Sequence, residues 1–340
     1  MDEKISTSKR WTLGVILAAA AGAVFSLFRI NVFGERPAAQ DAATHLLANL
    51  TKTDPALTLY EESAPRIQTN IEGARLIDVD DDDVIYIAGG SQVRSYNASG
   101  KALPLRLDAD NKITALTVSD DGTIYLGLGD HLAAFNSNGA LQKRWDSIGG
   151  KSLITSVALF QDHIFLADAG AKVIHHYNKN GGLIKSFGDF NIPSPYFDLQ
   201  IAAENQLYAA NTGEHRIETY HFNGDMTAWW GAYSMTQHDR FCGCCNPIHF
   251  ALLPNDAGFI TCEKGIARVK VYDADAEFVG YVAAPDQFSD HDMNCHTFDS
   301  CFSTVGIDAA VDSTGRVLVM EPVNTEVRIY SRKPDSATTG

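Results

Sequence analysis

From residue 74 onward, hydrophobic positions alternate with polar ones in short runs that end at Gly, Asn or Asp. Alternation with a period of two predicts β-strands with one buried face, and these end residues predict tight turns. The clearest runs occupy equivalent places in six successive segments and begin at Ile85, Ile124, Ile164, Leu207, Phe259 and Val317. They are 39, 40, 43, 52 and 58 residues apart, so each segment has room for four short strands. The pattern therefore predicts an all-β fold of six similar units.

One small sheet cannot bury both of its faces without neighbours, whereas in a ring of such sheets each one is covered on both faces. The sequence thus predicts a six-bladed β-propeller within residues 57–333. Its blades are expected at about 74–110, 112–148, 152–190, 194–232, 246–284 and 303–333. The last unit ends without a fourth strand, so a strand within residues 57–69 is expected to close the ring and leave no open sheet edge.

An uncharged apolar run from Trp11 to Phe28 follows the basic pair Lys9 and Arg10. As a helix it would be about 27 Å long, close to the ~30 Å hydrocarbon core of a bilayer. We therefore expect residues 11–28 to form a transmembrane helix, with residues 1–10 cytoplasmic and residues 29–56 as a linker. The propeller and its polar tail, 334–340, would lie on the extracytoplasmic (periplasmic) side. A cleaved signal peptide is the alternative.

The formal charge is −15 and is unevenly distributed. Residues 1–40 hold five Lys or Arg and three Asp or Glu, so the remaining 300 residues carry −17. A body this acidic repels the phosphate backbone, which argues against a nucleic acid as partner. The expected partners are the membrane, through the N-terminal helix, and another exported or membrane protein.

Three segments share a polar loop, then an Arg beside Ile or Val, then an aromatic residue: 210–220, 264–272 and 323–330. This pattern resembles the NHL repeat, and the resemblance extends over about residues 74–331. It implies a six-bladed propeller of the NHL type. NHL propellers include binding platforms, lyases and receptor domains, so the resemblance indicates a fold without selecting one function. The arginines of these loops are expected to hold neighbouring strands together: Arg216, Arg268 and Arg328.

All the cysteines fall in the last third of the chain. The two longest intervals imply insertions near 232–246 and 285–304, both in connections that open on one face of the ring. Five cysteines lie in these insertions, and the sixth ends a second strand on the same face: Cys242, Cys244, Cys245, Cys295, Cys301 and Cys262. The repeat register therefore predicts that all six thiols converge on one face beside blades five and six.

Three kinds of site suit these cysteines. Disulfides are typical of exported proteins, but adjacent Cys244 and Cys245 would need different partners or a strained bond to each other. An iron–sulfur cluster or another thiolate-bound metal is the second possibility, and a reactive redox thiol is the third. Further candidate metal ligands nearby are His291, His296 and Glu263.

These features favour a membrane-tethered, exported propeller that acts as a protein-binding, ligand-binding or electron-transfer component through its cysteine-rich face. Neither Gly-x-Ser-x-Gly nor His-Glu-x-x-His occurs, which argues against the common hydrolase sites. The alternative is a metal-dependent enzyme, a lyase or lactonase-like hydrolase, with its site in the central channel. Trp229, Trp230 and Tyr233 precede the first insertion and are expected either to pack between blades or to form a recognition surface.

Overall fold

The computed structural model of this chain describes residues 51–63, 65–288 and 305–334. These residues form strands joined by turns, with short 3-10 segments at Pro55–Leu57, Pro254–Asp256 and Pro285–Gln287. None of the helical segments in this part of the chain has the length and apolar character needed to span a membrane. The expected anchor at 11–28 lies outside the described residues.

The described part of the chain has two short leading strands and then forms the first three blades, each an antiparallel four-stranded sheet. The leading strands are β1 (Tyr60–Glu62) and β2 (Ile67–Gln68). Blade one contains β3 (Ala74–Val79), β4 (Ile85–Gly89), β5 (Gln92–Tyr96) and β6 (Ala102–Asp108). Blade two contains β7 (Ala115–Val118), β8 (Ile124–Gly127), β9 (Leu132–Phe135) and β10 (Leu141–Arg144). Blade three contains β11 (Ile154–Phe160), β12 (His163–Asp168), β13 (Val173–Asn178) and β14 (Leu183–Phe187).

Blades four and five repeat the arrangement, and blade six has three strands of its own. Blade four contains β15 (Leu199–Ala203), β16 (Gln206–Asn211), β17 (Arg216–Tyr220) and β18 (Met226–Trp230). Blade five contains β19 (His249–Leu252), β20 (Phe259–Glu263), β21 (Arg268–Tyr272) and β22 (Phe278–Ala283). Blade six contains β23 (Asp308–Val311), β24 (Val317–Glu321) and β25 (Glu326–Arg332). The prediction of an all-β, six-bladed propeller is confirmed.

The ring closes where the two ends of the propeller meet. Strand β1 pairs antiparallel with β25, with Tyr60 opposite Arg332 and Glu62 opposite Tyr330. Strand β2 pairs with the beginning of the same strand. The inner strands contact one another in sequence around the axis, and β23 packs against β3 to complete the circle. The N-terminal segment thus supplies the outermost strand that blade six lacks.

The hydrophobic core lies between neighbouring blades. Alternate side chains of each strand point to opposite faces of the blade and pack against the blades on either side. Ile85 and Ile87 of β4 pack toward blade six, in a cluster that includes Leu318. The alternate residues Tyr86 and Ala88 pack toward blade two. Each blade is therefore buried on both faces, as the repeat pattern requires.

Three aspartates on the inner strands and their flanks tie consecutive blades together around the channel. Asp78 accepts a hydrogen bond from the Val118 amide at 2.8 Å, and Asp308 accepts one from the Ile77 amide at 3.1 Å. Asp198 makes the equivalent contact with the Phe250 amide at 3.0 Å. Carboxylates therefore occupy the channel wall at fixed positions, because each is held by the main chain of the next blade.

Candidate functional site

The connection from β18 to β19 carries three of the cysteines. We call its residues 238–247 the cysteine loop; it contains Cys242, Cys244 and Cys245. Cys262 lies at the end of β20 directly beneath, and its carbonyl accepts a hydrogen bond from the Ile248 amide at 2.9 Å. All four are free thiols. The other candidates on this face lie outside the described residues: Cys295, Cys301, His291 and His296.

The four described thiols differ in exposure and surroundings. Cys244 is exposed, whereas Cys245 beside it is buried, and their Sγ atoms are 3.2 Å apart. Cys242 is also buried, with its Sγ 3.5 Å from the Sδ of Met235. Cys262 belongs to the hydrophobic core of blade five. The cysteine loop therefore presents one accessible sulfur, backed by a second sulfur at contact distance.

Burial governs the acidity of these thiols. It raises the pKa of Cys242, and it raises that of Cys262 well above the ordinary value. For Cys244, burial and the hydrogen bond with Cys245 raise the pKa, and the nearby Lys264 ammonium opposes the change. These three thiols stay protonated at neutral pH in the absence of a metal or an oxidant.

A fully buried ion cluster lies beneath the cysteine loop. Glu263 pairs with Arg268 at 2.9 Å and with Lys270 at 2.6 Å, and all three side chains are at most 1% exposed. Burial opposes ionisation of Glu263, but the two cations prevail and lower its pKa. Burial, followed by repulsion from Arg268, lowers the pKa of Lys270 to about 7. Glu263, a candidate metal ligand from the sequence, is thus occupied by two cations.

This cluster holds the backbone of the cysteine loop. The Arg268 guanidinium and the Lys270 ammonium both donate to the carbonyl of Arg240, at 3.1 and 2.7 Å. The Tyr272 hydroxyl donates to the carbonyl of Asp239 at 2.9 Å. Since the donors are rigidly packed side chains of β21, the first half of the loop is fixed to blade five.

The second half of the loop is fixed from both sides. On the blade-four side, His215 contacts the Gly243 carbonyl through Nε2 at 2.8 Å. On the blade-five side, the Asn246 side chain donates to the Lys264 carbonyl and accepts from the Lys264 amide, each at 2.9 Å. Cys244 and Cys245 therefore lie on a loop whose two flanks are anchored.

No three His, Cys, Asp or Glu side chains are grouped to hold a metal ion in the part of the chain that the structure describes. Cys242, Cys245 and Cys262 are buried, and Glu263 is engaged in its ion pairs. The arrangement on this face that suits thiol chemistry directly is the close pair of Cys244 and Cys245.

A second candidate site lies in the central channel, a cavity of about 720 Å³ lined by all six inner strands. The Nδ1 atom of His249 is 3.6 Å from a carboxylate oxygen of Asp198 and 3.6 Å from one of Asp308. The Tyr196 ring meets the imidazole edge-on, with centroids 5.8 Å apart. Residues from blades four, five and six thus meet at one point of the wall.

The charges in the channel are strongly coupled. Burial opposes the imidazolium of His249, but Asp308 and Asp198 outweigh it and raise the pKa of His249 to about 9. Burial raises the pKa of Asp308 to about 6, against the effect of His249, and raises that of Asp78 to about 7. Groups that change charge near neutral pH suit acid–base chemistry.

The sequence did not single out Asp198 or Asp308. The available signal was a polar residue at the start of an otherwise apolar inner strand, in the same place in blades four to six. That signal also marks His249 at the start of β19.

The aromatic residues before the cysteine loop divide between two roles. Trp230 packs against Phe241, Phe259 and Tyr272 between blades four and five. Trp229 and Tyr233 are 54% and 52% exposed. Trp230 therefore packs between blades, whereas Trp229 and Tyr233 are placed to form a recognition surface.

Comparison with known proteins gives a fold and no family. No protein-family model matches the chain, and no curated protein matches it. Among solved structures 1243 chains match, including one titled "Streptogramin B lyase structure". That structure has a TM-score of 0.56 and 10% sequence identity, and the match covers 82% of this chain and 100% of the other. At this identity the likeness is one of propeller fold.

Proposed function

We propose that this protein is a membrane-tethered, exported propeller that acts as a binding or electron-transfer component through its cysteine loop. The observation that carries the proposal is the 3.2 Å separation of the Cys244 and Cys245 sulfurs. One of these sulfurs is exposed, so an external molecule can reach it. Paired thiols support two-electron chemistry or the binding of a soft metal ion.

The anchored surroundings support a functional role for the pair. The contacts of Arg240, Cys242, Gly243 and Asn246 fix the loop to blades four and five. A site held in this way keeps its geometry when its redox or metal state changes, which lowers the cost of the change. The repeat register predicts Cys295 and Cys301 on the same face, and thiolates from that segment would complete a metal or iron–sulfur site.

The full chain, purified anaerobically in detergent, tests this proposal. We expect either bound iron, copper or zinc at a stoichiometry near one, or a thiol pair that titrates reversibly with two electrons. Replacing Cys244 or Cys245 with Ser should abolish whichever property is found. Cys262→Ala is the matched control, because Ala88, Ala167 and Ala210 occupy the equivalent strand position in other blades. A protein with no metal and no reversible thiol couple would contradict the proposal.

The tether needs its own test. The apolar run at 11–28 and the basic residues before it support export of the body with the N-terminus retained in the membrane. We expect the full chain in the membrane fraction and a chain lacking residues 1–40 in the soluble fraction. Release of the full chain by high salt would contradict a transmembrane anchor, and N-terminal sequencing separates an anchor from a cleaved signal.

The second candidate function is an enzyme, a lyase or lactonase-like hydrolase, with its site in the channel. The observation in its favour is His249 between Asp198 and Asp308, in a cavity of the size that holds small ligands. A metal-dependent reaction would need ligands beyond these three, since the described residues form no metal-holding group. Turnover of a panel of lactones and aryl esters by the wild type, lost in His249→Asn and unaffected by Cys244→Ser, would favour this function.

A further inference from the structure

The two adjacent thiols of the cysteine loop are chemically unequal. Cys244 is exposed, whereas Cys245 is 1% exposed. Their sulfurs are already in contact at 3.2 Å. The flanking anchors, His215 on Gly243 and Asn246 on Lys264, restrain the loop on both sides of the pair. An accessible sulfur backed by a buried one suits thiol–disulfide exchange, because the accessible sulfur is attacked and the buried one leaves.

Resting on the proposed function, we propose that Cys244 and Cys245 form a dithiol–disulfide couple that accepts two electrons from a dithiol-bearing protein. In the oxidised state the two sulfurs are bonded to each other. A thiolate of the partner attacks Sγ of Cys244, the bond between Cys244 and Cys245 breaks, and Sγ of Cys245 leaves and takes a proton. The second partner thiol then attacks the mixed disulfide and releases Cys244 as a thiol. The partner ends as a disulfide, and this protein has gained two electrons and two protons.

The strain of a bond between adjacent cysteines favours this direction of transfer. Burial and the hydrogen bond with Cys245 raise the pKa of Cys244, so the reduced Cys244 thiol holds its proton at neutral pH and is a poor attacking nucleophile. A bond between adjacent cysteines closes a strained ring, and strained, exposed disulfides are the more oxidising ones. Reoxidation by a second disulfide-bearing protein requires the Cys244 thiolate, so its rate should rise with pH.

The surroundings of the pair indicate that the electron donor is a protein. His215 contacts Gly243 of the cysteine loop, and its ring lies 5.0 Å from that of Tyr233. Tyr233 and Trp229 expose more than half of their side chains, and the Arg216 guanidinium lies over the Trp229 ring. Exposed Tyr, Trp and Arg are the residues that dominate protein–protein contacts. His215 links this aromatic patch to Gly243, the residue before Cys244, so a partner that docks on the patch is placed to reach Cys244.

A trapping experiment tests the chemistry. The oxidised full chain is mixed with thioredoxin whose buried cysteine is replaced by Ser, so that the mixed disulfide cannot resolve. We expect a covalent adduct whose fragmentation spectrum places the bond on Cys244. Cys262→Ala should form the same adduct, and Cys244→Ser should form none. An adduct on Cys245, or a native disulfide from Cys244 to Cys295 or Cys301, would overturn the assignment.

A rate comparison tests the docking surface. Wild-type thioredoxin and dithiothreitol each reduce the oxidised pair, and the two rates are measured for the wild type, Tyr233→Ala and Trp229→Ala. We expect each variant to slow the reaction with thioredoxin about tenfold and to leave the rate with dithiothreitol unchanged. Equal slowing with both reductants, or no slowing, would overturn the patch as a docking site. Bound metal at Cys244 and Cys245 with no exchange would overturn the couple and leave the proposed function intact.

Discussion

The Glu263 carboxylate accepts the main-chain N–H of Cys242 through Oε2 at 3.1 Å. A buried ion cluster in blade five is thereby joined directly to the loop that carries the exposed thiol. The cost of burying three charges is offset by mutual attraction and by hydrogen bonds to the Arg240 carbonyl. The geometry of the cysteine loop therefore depends on the electrostatics of the blade beneath it.

Replacing Glu263 with Gln should destabilise the protein strongly. The change leaves the Arg268 guanidinium buried with no anion beside it, and breaking a buried pair in this way typically costs about 3–5 kcal/mol. The measurement is the free energy of unfolding in urea. Glu277→Gln is the matched control, because Glu277 is exposed on the same blade. Equal stability of the two variants would show that the cluster contributes little.

Replacing Lys270 with Met should change the pH dependence of stability. Burial and Arg268 lower the pKa of Lys270 to about 7 in the folded protein, below its ordinary value of 10.5. Between these values the unfolded chain binds a proton that the folded chain has lost, so the wild type gains stability as pH rises. Lys270→Met lacks this gain, and the stability difference between the two proteins should shift in favour of the wild type from pH 7 to 10. A constant difference would contradict the lowered pKa.

Replacing Tyr60 with Ala should weaken the closure of the ring. Tyr60 belongs to the core cluster that contains Tyr330, and its strand completes blade six. Loss of a large buried aromatic side chain costs about 3–5 kcal/mol. The measurement is the midpoint of thermal or urea unfolding, with Glu61→Ala on the exposed face of the same strand as control. Similar midpoints for both variants would argue that closure does not depend on this packing.

The fold was largely predictable because its cause is local and periodic. The alternation that begins at Ile85 and recurs in each unit places one residue toward each neighbouring blade, and turn residues mark the strand ends. The position of the β18–β19 connection between blades four and five followed from the same register. The role of Glu263 did not, because its cations on β21 could equally have faced solvent and only packing decides their burial. The meeting of Asp198, His249 and Asp308 depends on ring closure between segments far apart in the chain.

Replacing His249 with Asn should destabilise the propeller at low pH more than at high pH. Burial opposes the imidazolium, but the carboxylates of Asp308 and Asp198 raise its folded pKa to about 9, above the ordinary value of 6.5. The stabilising contribution of the charged ring is therefore complete below pH 6.5 and is lost as pH rises through about 9. We expect His249→Asn to lose on the order of 1–3 kcal/mol at pH 6, and the loss to shrink by pH 9.5. Urea unfolding across this range measures the loss, with exposed His221→Asn as control.

Direct titration of the His249 ring by NMR should show the raised pKa, and Asp308→Asn should lower this pKa. A His249 pKa near 6.5 in the wild type would contradict the charge pairing of His249 with Asp198 and Asp308 in the channel.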